Sequence, residues 1–166
     1  MQLKKAGALR PGTWVVVDES GGLLGLVTDR QTPLRNAICF RPAAVDGGSY
    51  LDTMSRDPIL ELSGVQVIPS PLPRHYHRGG MDALPCPGAL VFAAGLFHLA
   101  STLSSHGQTT FGIEVGSGRV RDIADIDASW PWAWFSAWQL VDPTRGAIVH
   151  EFAAASRPGA QADKRW

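Results

Sequence analysis

The sequence predicts an α+β fold: an N-terminal SH3-like small β-barrel, followed by an α+β segment with one buried helix and antiparallel strands. Three observations predict it. β-branched runs separated by glycine-rich turns fill the first seventy residues. Prolines then cluster at Pro69, Pro71, Pro73, Pro85 and Pro87. Beyond them, Ala89–Ser104 is an apolar stretch of helical length. The implied organisation is a barrel over 1–70, a proline-rich crossover over 71–87, a second part over 88–152 and a loose tail over 153–166.

The barrel is read strand by strand. Thr13–Asp18 is a β-branched run, and Leu23–Thr28 is its natural partner. Glu19-Ser20-Gly21-Gly22 between them supplies a tight hairpin, because glycine accepts positive φ without penalty. Asn36–Phe40 follows the Thr32-Pro33 turn, and Ala43–Ser49 reads as a loop. Pro58–Leu62 and Val65–Ile68 flank Ser63-Gly64, a second hairpin signal. Five short strands with tight turns suit a half-open barrel. The prolines, with Gly79-Gly80 among them, exclude a helix or a central strand in the crossover.

The second part opens at Pro87, which suits the first turn of a helix. Ala89–Ser104 carries apolar residues on nearly every face, so as a helix it must be covered on more than one side. Gly107 is a stop. Thr109–Val115 and Arg119–Ile123 flank Gly116-Ser117-Gly118, a third hairpin. The tryptophan segment fits two periods. Trp130, Trp132, Trp134 and Trp138 share one face of a strand, whereas Trp130, Trp134 and Trp138 recur at helical spacing. Ser129 as N-cap and Pro131 in the first turn favour the helix. Asp142–Gly146 is a turn, and Ala147–Phe152 a last strand.

Composition narrows the function classes. In 166 residues, 45% hydrophobic and 18% charged is normal for a packed core, and disorder is not expected over most of the length. A formal net charge of +0 gives no general attraction to phosphate backbones or acidic lipids. Cys39 and Cys86 are too few for a disulfide framework and lack CxxC spacing. No apolar run follows Lys4-Lys5, so no signal peptide is expected. The Gly88–Leu103 stretch is shorter than the roughly 20 residues a membrane span needs. A cytoplasmic protein with no membrane partner is the expectation. Arginine far outnumbers lysine, with abundant alanine, glycine and proline, as in coding from GC-rich bacteria or their phages.

Several residues carry candidate chemistry. Cys86 stands just before the predicted helix, where backbone N–H groups would lower a thiol pKa. With His106 or His150 as base it would make a papain-like thiol hydrolase. Pro87–Phe92 and Phe111–Gly118 resemble short stretches of the NlpC/P60 hydrolases. That family's Asp and His positions hold Ala89 and Phe111 here, so the resemblance implies no catalytic set. Arg74-His75-Tyr76-His77-Arg78 could touch an anion or nucleic acid, with Tyr76 to stack. His75 and His77 could share a metal with Asp82 or Cys86. Their spacing matches no closed zinc pattern, and the flanking arginines oppose a cation. Asp122, Asp125 and Asp127 read as a capping and solvated turn rather than a cation site. The glycine pairs lack the lysine and strand–loop–helix context of a phosphate loop. No metal and no cofactor is expected.

Trp130, Trp132, Trp134, Phe135 and Trp138 are either the anchor of the second-half core or an aromatic patch for a partner. The sequence thus favours a non-enzymatic binding or assembly module, contacting a protein partner or a second copy of itself through that patch. The thiol hydrolase and a weak nucleic-acid binder are its alternatives.

Overall fold

A computed structural model of the chain describes residues 2–16, 24–31, 35–40, 49–53, 58–69, 75–77, 85, 87–102, 111–127 and 132–153. Antiparallel strands dominate it. They are β1 (Gln2–Lys5), β2 (Trp14–Val16), β3 (Leu24–Gln31), β4 (Arg35–Phe40), β5 (Ser49–Thr53), β6 (Pro58–Leu62), β7 (Gln66–Pro69) and β8 (His75–His77) in the first half. The second half supplies β9 (Leu90–Ala93), β10 (Leu96–Ser101), β11 (Phe111–Glu114), β12 (Val120–Asp122), β13 (Trp132–Phe135), β14 (Ala137–Asp142) and β15 (Ala147–Ala153). One short helix, α1 (Ile123–Asp127), and a 3-10 turn at Ala6–Ala8 complete the described elements.

The strands form three sheets, ordered β1-β6-β2-β3-β4-β5, β12-β11-β10-β9-β13-β8 and β15-β14-β7. The α+β expectation is therefore overturned. The predicted strands at the N-terminus exist, and β2 pairs with β3 through Trp14–Leu26 and Val16–Leu24. They lie in an open six-stranded sheet, however, and no closed barrel is found among the described residues. The Ser63-Gly64 hairpin is also corrected. β6 pairs with β1 and β2, whereas β7 pairs with β14, so at Ser63-Gly64 the chain leaves one sheet for another. Gly64, at φ 73, accommodates that change of direction. The expected Glu19–Gly22 turn falls outside the described residues, as do most of the crossover and the tail.

The predicted buried helix at Ala89–Ser104 is a hairpin of β9 and β10, with Leu96 opposite Ala93. Its apolar residues on all faces have a different cause. Alternate residues enter two different core clusters, Leu90 and Leu99 on one face and Val91, Ala93 and Ala100 on the other. Away from exposed Phe92 and Leu96, the strands are therefore buried on both faces and read as a continuous apolar run. The connecting turn has both central residues at positive φ, Ala94 at 51 and Gly95 at 80, as a two-residue primed turn demands. The helix favoured for the tryptophan segment is likewise two strands, β13 and β14, parted at Ser136. The Gly116–Gly118 hairpin is present, joining β11 to β12 with Ile113 opposite Val120. Helix α1 was not anticipated. Its first turn is capped by Asp122, whose Oδ1 accepts from the Ala124 N–H at 2.9 Å.

Packing unites the sheets. The largest core cluster takes Trp14, Leu26 and Leu62 from the first sheet, Leu99 and Ile113 from the second, and Trp138 from the third. On the far face of the second sheet, α1 sets Ile123 and Ile126 against Val91, Ala100 and Trp134. Gly112 admits this approach, since a Cβ there would stand 2.3 Å from Ile126 Cδ1. The first and second sheets also meet backbone to backbone. Asp29 N–H donates to Gly118 O at 2.8 Å, and a Cβ on Gly118 would lie 2.3 Å from Val27 O and 2.4 Å from Gly12 N. Only glycine allows so close a crossing.

Candidate functional site

The tryptophans are chiefly interior. Trp138 is 1% exposed; its ring stacks on Phe152 at 5.4 Å and tilts against Trp14 at 5.8 Å. Its Nε1–H donates to Gly88 O at 2.8 Å, a buried bond that satisfies the indole. Trp134 is also buried, in the cluster under α1. Neither ring is available to a partner, which removes the centre of the expected aromatic patch. The backbone of Trp132 faces Ala93 and His77; its side chain, and all of Trp130, lie outside the described residues.

Phe135 differs. It is half-buried and continues a row of rings across the second sheet. Phe97 lies 6.4 Å from Phe135 edge-on and 5.1 Å from Phe92. The pairing produces the row: Phe97 sits opposite Phe92 on adjacent strands, and Phe135 opposite Leu90 on the next. Phe92 is 38% exposed, and Leu96 beside Phe97 is 44% exposed.

The row runs beside a groove of about 450 Å³ lined by Trp14, Val65, Val67, Leu96, Phe97 and Val115. Elements of all three sheets contribute, β2 with Trp14, β7 with Val67, and β10 with Leu96 and Phe97. The Ala94-Gly95 turn brings Leu96 to the rim. Val115 is held by its N–H donating to Phe97 O at 2.9 Å. Among the described residues, Glu114 is the charged one on the lining. An apolar concavity of this size, carrying one acidic group, suits an apolar side chain or short segment with a positive charge nearby. Sequence reading missed it because its walls come from segments far apart in the chain. The sequence signal reached only Phe135, which packs on the groove residue Phe97 without lining the groove itself.

Of the catalytic candidates, Cys86 and His106 lie outside the described residues. His150 is on β15 opposite Leu140, half-buried, with its ring 6.1 Å from that of Trp138. Burial holds its pKa below the usual 6.5, and Glu151 works against that shift. Of the basic cluster, His75, Tyr76 and His77 form β8 at the edge of the second sheet. Their side chains, with Arg74 and Arg78, are outside the described residues. A three-residue edge strand is compatible with the surrounding prolines, which bar a central position.

A buried histidine went unremarked in the sequence. His98 on β10 is 1% exposed, and neither ring nitrogen has a hydrogen-bond partner among the described residues. Burial pushes its pKa down; Glu114 opposite raises it, and Arg121 lowers it. The backbone of Leu96 and Val91 lies close enough to favour the protonated ring slightly without completing a bond. The ring is therefore neutral inside the sheet at neutral pH. Among the described residues, no group of three His, Cys, Asp or Glu side chains is placed to hold a metal ion, and no helix is long and apolar enough to cross a membrane.

No protein-family model matches the chain, and neither curated proteins nor solved structures show a relative of it.

Proposed function

We propose that the protein is a non-enzymatic binding module of the cytoplasm, whose contact surface is the groove between β7 and β10 with the Phe92–Phe97–Phe135 row as its rim. The observation that carries this is the groove itself. A concavity floored by a tryptophan, with a leucine 44% exposed at its edge, leaves apolar area in water that a partner would cover. At about 25 cal/mol per Å², covering the groove's own apolar lining is worth roughly 2 kcal/mol before the costs of association, and the exposed rim at Phe92 and Leu96 must be covered with it. The buried tryptophans support the surface from beneath: Trp138 braces Trp14, which forms the floor.

The test is selection of a displayed random-peptide library on the wild-type protein, followed by comparison with Leu96→Glu. Leu96 is exposed enough for the variant to fold, which circular dichroism would verify. Enriched sequences that lose at least tenfold in affinity for Leu96→Glu support the groove. Clones that bind both proteins equally, or a selection that enriches nothing, refute it.

A further inference from the structure

Val65, Gln66 and Val67 form one wall of the groove. β7, to which Gln66 and Val67 belong, is a terminal strand of its sheet and pairs only with β14 among the described residues. Pro69 fixes which backbone groups that pairing uses. In an antiparallel ladder, facing residues alternate between pairs that exchange both N–H···O bonds and pairs that exchange none. Pro69 faces Trp138, and a proline has no N–H to exchange. The Pro69–Trp138 pair is therefore of the non-exchanging kind. Ile68–Gln139 and Gln66–Val141 are then the exchanging pairs, and Val67, facing Leu140, exchanges nothing. The N–H and C=O of Val67 consequently point away from β14.

We propose that the groove takes an extended peptide as an added strand beside β7. Its main chain bonds to the N–H and C=O of Val67. Its apolar side chains, at alternate positions, meet Trp14 and Phe97, and a basic residue lies near Glu114. The inference rests on the groove being the binding surface and adds the mode and chemistry of the occupant. Three features select it. The open edge supplies directed main-chain partners, which a globular apolar ligand cannot use. The apolar lining beside that edge rewards side chains of period 2. Glu114, the acidic lining residue among those described, sets the sign of the charge. β7 has four residues and ends in proline, which limits indiscriminate strand pairing and leaves selectivity to the groove.

The probe is the hexapeptide acetyl-Lys-Val-Thr-Val-Thr-Val-amide, added to the full ¹⁵N-labelled chain while amide hydrogen exchange is followed by NMR. Saturating peptide should slow exchange at the Val67 amide at least tenfold. The Gln66 and Ile68 amides, already committed to β14, should change little. Of two versions of the peptide N-methylated at alternate amides in opposite phase, one should bind at least tenfold more weakly than the other. If the peptide shifts the Leu96 and Phe97 resonances while Val67 exchange stays unchanged, strand addition is overturned and the groove reading survives. If millimolar peptide shifts no groove resonance, strand addition is overturned as well. The Leu96→Glu comparison then decides the groove reading separately.

Discussion

Replacing Trp138 with phenylalanine tests the account of the core most directly. The indole does two things that a benzene ring cannot do together. It donates to Gly88 O at 2.8 Å in a buried position, and it fills the space between Phe152 and Trp14. Phenylalanine preserves the stack and abolishes the donor, leaving Gly88 O buried without this partner at a cost of about 1–3 kcal/mol. The missing pyrrole leaves a void of roughly 40 Å³, which at about 24 cal/mol per Å³ adds about 1 kcal/mol, with a comparable transfer loss. The sum is about 3–5 kcal/mol, a large part of the 5–15 kcal/mol typical of a domain. Urea unfolding followed by far-UV circular dichroism should show the loss as a lower midpoint at unchanged slope, and Tm should fall by about 6–20 °C. A loss below about 1 kcal/mol would mean that Trp138 neither bonds Gly88 nor fills the joint core, and the argument for a braced groove floor would fail with it.

Gly118→Ala should be far more damaging than Gly146→Ala. A Cβ at Gly118 meets backbone atoms at 2.3 and 2.4 Å, whereas at Gly146, φ 61, it meets nothing within 4 Å. The second substitution should cost only about 1–2 kcal/mol of backbone strain, and equal midpoints in urea would contradict the close crossing of the sheets. Ala94→Asn should stabilise the β9–β10 turn by roughly 0.5–1 kcal/mol, since asparagine tolerates positive φ better than alanine, and a lower Tm would argue against the primed turn. For His98 and His150, burial places the folded-state pKa below the 6.5 of an exposed histidine. The unfolded chain therefore binds protons first as pH falls, and stability present above about pH 6.5 is lost below it. The urea midpoint should drop between pH 7.5 and 5.5, less steeply in His98→Met; identical slopes would show that His98 is not held neutral. In single-tryptophan variants keeping Trp14, Trp134 or Trp138, emission should be blue-shifted and resist acrylamide, most of all for Trp138.

Local signals in the sequence reached as far as local physics extends. β2, β3, β11 and β12 were legible because β-branched runs meet glycine turns at hairpin spacing, and a hairpin carries its register in its own few residues. β9 and β10 were not, because a strand buried on both faces loses the alternation that marks it. Their turn, Ala94-Gly95, also lacks the asparagine or aspartate that usually announces a hairpin. The tryptophans illustrate another limit. Rings at 130, 132, 134 and 138 satisfy two periods at once, and only the pairing of β13 with β9 and of β14 with β15 decides between them. The unions of β1 with β6 and of β7 with β14 leave no sequence trace, since no turn ties their partners together. The groove inherits that silence. Its walls are set by those long-range pairings: Leu96 and Phe97 read as part of an apolar helix, and Val67 as an ordinary strand residue, until the sheets are assembled.

The change of sheet at Ser63-Gly64 also bears on how the molecule is made. During synthesis β7 emerges directly behind β6, yet its partner β14 follows nearly seventy residues later. At about 5–20 residues per second the ribosome delivers β14 several seconds or more after β7. Throughout that interval β7 has neither ladder nor groove, and Val65, Val67 and Ile68 stand in water beside the finished turn. The nascent first half is thus a partly sealed intermediate, open to capture by other strands. The proline at the end of β7 serves there as a guard during synthesis, making the exposed segment a poor template until its own partner arrives.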